Sequence, residues 1–84
     1  MSASASKQAL GGADLIDQLL AAAFAGPRSP RSPEYRAGVR AVLEFRIAGT
    51  PIHRPYAAGT AQDDAFDGGM AEGHVIWRRK AAVK

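Results

Sequence analysis

The sequence predicts an all-α fold: a helical hairpin, formed by the second and third helices, with an additional N-terminal amphipathic helix. Three observations carry that expectation. Apolar residues recur at helical spacing in three separate stretches, and no segment alternates with period two for long enough to argue a strand. Glycine and proline punctuate the chain where such helices would stop. The 84 residues contain no cysteine, so neither disulfides nor cysteine-rich zinc sites enter the fold.

Residues 1–11 are rich in serine and alanine, and residues 12–84 read as one small helical domain. The opening segment is expected to be disordered, because it offers little apolar area to offset the entropy of ordering. It also lacks the continuous apolar stretch of a secretion signal, and no run approaches a membrane span, so a cytoplasmic protein without a membrane partner is expected.

The first helix is expected from about Ala13 to Ala25. Leu15, Ile16, Leu19, Leu20, Ala23 and Phe24 form one stripe, and Asp14 and Asp17 suit the positive end of the helix dipole. Gly26-Pro27 stops it. Residues 27–33 read Pro-Arg-Ser-Pro-Arg-Ser-Pro, a stiff extended linker. The second helix starts at Ser32 as N-cap with Pro33 in the first turn. Tyr35, Val39, Val42, Leu43 and Ile47 form its apolar face, and Gly49 followed by Thr50-Pro51 ends it. A connector over 49–59 carries Ile52 and Tyr56 toward the core and points His53 and Arg54 outward. The third helix opens at Thr60, where Thr60 and Asp63 take the spacing of a capping box. Phe66, Met70, Gly73 and Trp77 share one side of it.

Gly68, Gly69 and Gly73 inside the third helix each cost about 1 kcal/mol relative to alanine. Close approach of another backbone is the physical reason to keep them, with Gly38 as the matching contact on the second helix. A break at Gly68-Gly69 is the alternative.

The order Tyr35-Arg36-Ala37-Gly38, then Pro55-Tyr56, then Phe66-Asp67-Gly68-Gly69-Met70-Ala71-Glu72 resembles the ribosome modulation factor family and its small phage- and plasmid-borne relatives. The similarity spans about residues 34–77. Tyr35, Gly38, Pro55, Tyr56, Phe66, Gly69 and Met70 stand at the family's marked positions. Phe66 and Met70 replace tryptophans there, and the interval from Gly38 to Pro55 is longer. The resemblance implies two helices joined by a long connector, in a small basic protein that binds the ribosome.

Net charge is +3, with Arg78, Arg79, Lys80 and Lys84 gathered at the C-terminal end. Such an end favours phosphates or acidic protein surfaces. Arginine forks onto phosphate, so Arg36, Arg40, Arg46 and Arg54 are noted, and the expected nucleic-acid set is Arg36, Arg40, Arg54, Arg78, Arg79 and Lys80. Tyr56 and Trp77 are candidates for stacking on unpaired bases, against a core role for each.

The leading expectation is therefore a ribosome- or RNA-associated modulator acting by steric occlusion. The alternative is a mobile-element-borne factor that docks on a host protein, or pairs as a homodimer, through Leu15, Leu19 and Phe24 of the first helix. An ATP-dependent enzyme modifying a small molecule comes third, since neither a G-x-G-x-x-G nor a Gly-Lys-Ser/Thr phosphate loop occurs. No catalytic residue, cofactor or metal is assigned. Asp63, Asp64 and Asp67 are read as compensating a helix dipole, and His53 and His74 make a poor zinc pair.

Overall fold

The computed structural model describes residues 12–26 and 30–82. They form three helices: α1 over Gly12–Ala23, α2 over Pro33–Ala48 and α3 over Ala61–Ala82. No strand occurs among the described residues. The expectation for residues 1–11, and part of that for the 27–33 linker, lies outside them.

Capping explains the ends of α2. The Ser32 hydroxyl accepts from the Tyr35 N–H at 3.2 Å, and Pro33 occupies the first turn, where its missing N–H costs nothing. At the other end Gly49 takes φ 74°, a left-handed conformation that glycine reaches without strain. The Gly49 and Thr50 N–H groups then satisfy the carbonyls of Phe45 and Glu44. Helix α1 ends two residues short of Ala25, with Phe24 in a closing turn and Gly26 at φ 82°.

Helix α3 runs unbroken through Gly68-Gly69. Its capping box is only half formed. The Thr60 hydroxyl accepts from the Asp63 N–H at 3.1 Å, but the Thr60 N–H donates to the Ala57 carbonyl. The Asp63 carboxylate turns instead to Arg54, because an ionised partner binds it more strongly than a neutral amide does.

The seam between α2 and α3 is made of backbone. A Cβ on Gly38 would overlap the Phe66 carbonyl, and one on Gly69 would overlap the Tyr35 carbonyl. A Cβ on Gly73 would come within 2.8 Å of the Val42 Cβ and 3.0 Å of the Val39 oxygen. The helix-propensity penalty of these glycines is offset by the closeness they permit. Tyr35 meets Gly69, Val39 meets Gly69 and Gly73, and Val42 meets Gly73, so contacts climb both helices in the same direction. The connector carries the chain back alongside them.

Val39, Val42, Leu43 and Phe66 are fully buried, and Ile16 of α1 reaches the same core beside Val39 and Leu43. Leu19, Leu20, Phe24, Tyr35, Ile47, Ile76 and Trp77 are partly buried around it. Helix α1 therefore packs on the helix pair and does not swing free on its linker. The apolar side of α2 leaves out Phe45, which is 45% exposed.

Candidate nucleic-acid interface

The expected cationic set divides into two groups according to how each side chain is held. Arg40 lies between α1 and α2, with Nη2 at 2.8 Å from Asp17 Oδ1 and Nη1 at 3.5 Å from Glu44. Its hydrogen bond to Asp17 raises its pKa above the ordinary guanidinium value. The spacing of Arg40 and Glu44 by one turn makes that second pair local to α2. Arg40 therefore ties α1 down.

Arg54 folds back onto α3, contrary to the outward position expected of it. Its Nη2 lies 2.8 Å from Asp63 Oδ1 and 2.8 Å from Asp67 Oδ1. The hydrogen bonds to Asp67 and then Asp63 raise its pKa. Asp63 is buried, so its charge needs this partner. The guanidinium also sits 5.7 Å from the Phe66 ring centroid, and Tyr56 packs edge-on against that ring at 5.9 Å. Asp63 and Asp67 thus clip the connector in place, a role beyond the dipole compensation expected of them.

Arg36, Arg78, Arg79 and Lys80 form the second group. Together with Arg31 and Arg46, none has a carboxylate within 4.0 Å among the described residues. Arg36 lies over the Phe24 ring at 4.8 Å and Arg31 over the Tyr35 ring at 4.6 Å. The two rings meet edge-on at 6.5 Å. Cations over ring faces keep N–H donors available for phosphate.

Three of these cations, Arg36, Arg79 and Lys80, flank the C-terminal half of α1 from both sides. A groove of about 590 Å³ between α1 and α2 is lined by Leu20, Ala21, Phe24, Pro33, Arg36, Ala37 and Arg40. A second, of about 340 Å³ between α1 and α3, is lined by Leu19, Ala22, Ala23, Ile76, Arg79 and Lys80. Helix α1 has no basic residue in its last turn, and Arg36, Arg79 and Lys80 line the grooves beside that negative end of its dipole.

Comparisons with protein-family models, with curated proteins and with solved structures give no match. The site therefore rests on its own geometry.

The stacking candidates are held by the fold. Tyr56 is half-buried against Phe66, and Trp77 is half-buried against the central cluster. Of the expected protein-docking residues, Leu19 and Phe24 pack on the core and Leu15 is half-buried. Much of that stripe is thus spent within the chain. Among the described residues no group of three His, Asp or Glu side chains could hold a metal, and no helix is long and apolar enough to cross a membrane.

Arg31 falls outside the expected set because in the sequence it is part of the Pro-Arg-Ser linker. Its position four residues before Tyr35 is the signal that could have placed it. Arg46 was noted only as an arginine; its Nη2 lies 3.5 Å from His74 Nδ1, a pairing across two helices that spacing along one chain does not reveal.

Proposed function

We propose that the protein is an RNA-binding modulator that occupies a surface of structured RNA, that of the ribosome first among them, and acts by steric occlusion. The observation that carries this reading is the division of the cations. Arg40 and Arg54 are consumed by internal ion pairs, while Arg31, Arg36, Arg46, Arg78, Arg79 and Lys80 have no carboxylate within 4.0 Å among the described residues. Unpaired cations repel one another and are best explained by an anionic partner. A phosphate backbone supplies regularly spaced anions and suits arginine in particular. The resemblance over residues 34–77 to the ribosome modulation factor family supports the same partner.

The test is co-sedimentation of the protein with ribosomes from its host at low and at high salt. Release as salt rises is expected, because phosphate contacts displace counterions. Absence from the ribosome fractions at low salt, or retention indifferent to salt, would refute the reading.

A further inference from the structure

We propose that Phe45 is a stacking platform for an unpaired RNA base, with Arg46, His74 and Arg78 holding the adjoining backbone; this rests on the RNA-binding reading above. Among the described residues, Phe45 is the large apolar side chain that the fold leaves exposed, at 45%. It falls outside the face of α2 that packs, where Val39, Val42 and Leu43 are fully buried. Tyr56 and Trp77, the aromatic residues that sequence offers for stacking, are occupied by Phe66 and by the core.

The surroundings of Phe45 decide the class of ligand. The Arg46 guanidinium lies 6.0 Å from the Phe45 ring centroid, and its Nη2 lies 3.5 Å from His74 Nδ1. Arg78 follows His74 by one turn of α3 and leaves the same side of that helix. Neither Arg46 nor Arg78 has a carboxylate within 4.0 Å among the described residues. An apolar protein surface placed on Phe45 would strip water from Arg46 without replacing its hydrogen bonds. A nucleotide meets both demands, since its base offers a π-face and its phosphate an anion. An unpaired base is required, because a duplex hides its ring faces in the stack.

The experiment measures anisotropy of a labelled, short single-stranded oligoadenylate with the full chain and with Phe45→Ala and Phe45→Leu. Both variants are expected to bind roughly tenfold more weakly with the salt dependence unchanged, since base stacking on an aromatic ring adds to affinity without displacing counterions. Leucine keeps the apolar area but not the π-face, so its failure to rescue marks stacking. Circular dichroism melts of both should match the parent, as Phe45 is not in the core. In a Trp77→Phe background, Phe45→Trp should report binding by fluorescence quenching. Parental affinity in both variants would overturn the stacking role and leave the RNA reading standing. No oligoadenylate bound by the parent at low salt, with ribosomes still captured, would overturn the unpaired-base proposal alone. Failure to bind either would overturn both.

Discussion

The α-carbon of Gly69 lies against the main-chain carbonyl of Tyr35, with no room for a methyl group between them. Gly69→Ala is therefore expected to destabilise the protein by about 2–3 kcal/mol or more, because main-chain atoms cannot rotate away as a side chain can. Gly38→Ala should cost as much, for the same reason at Phe66. Gly68→Ala is the contrast. Its Cβ would stand 3.1 Å from Tyr35 Cε2, a ring that can shift slightly. The gain in helix propensity then offsets the crowding, and stability should stay within about 1 kcal/mol of the parent. Urea titrations followed by circular dichroism separate these outcomes.

The Tyr35 hydroxyl donates to Glu72 Oε1 at 2.5 Å, joining residues 37 positions apart. Tyr35→Phe removes that charge-assisted bond and keeps the ring. A loss of about 1–2 kcal/mol in the same titration is expected. A variant as stable as the parent would show that water replaces the hydroxyl at no cost.

Asp63 and Asp67 accept from the same guanidinium but differ in setting, since their side chains are 9% and 53% exposed. Asp63→Ala should lower the melting temperature clearly more than Asp67→Ala, because the surface pair is screened by water and salt. Equal effects would place the strength of the clip outside Asp63.

Paired and unpaired arginines should behave differently toward RNA. Arg79→Gln and Lys80→Gln should each weaken ribosome binding and lower the magnitude of the salt slope by up to about 1. Arg40→Gln should leave that slope nearly unchanged and instead loosen α1, since its partners are Asp17 and Glu44. A slope that falls with Arg40 and not with Arg79 would reverse the assignment.

The helices were legible from local rules. Ser32, Pro33 and Gly49 mark the ends of α2 by chemistry that acts within a few residues, and the structure places caps there. The glycine seam was legible too, because three glycines within one helix need a reason beyond the helix. What the sequence did not reveal was the choice of partner for each charge. Arg54 precedes Asp63 by nine residues across a connector, and only the path of that connector brings them together. Likewise Arg40 has Asp17 on another helix and Glu44 on its own, and nothing in the spacing ranks the first above the second. Phe45 differs from Leu43 only in where the helix turns it.

Among the described residues, helix α1 contributes one fully enclosed side chain, Ile16, and one ion pair to the fold, whereas α2 and α3 are locked along their backbones. Ile16→Ala should cost about 2–4 kcal/mol, most of it as release of α1, measurable by amide exchange along that helix. The protein thus has two tiers of opening. Amides of α1 should exchange through a partial excursion, while those beside Gly38 and Gly69 await global unfolding. In that excursion Val39 and Leu43 meet solvent and Arg40 exchanges its bond to Asp17 for the local pair with Glu44 alone, so the same event uncovers apolar area and loosens the hold on a cation.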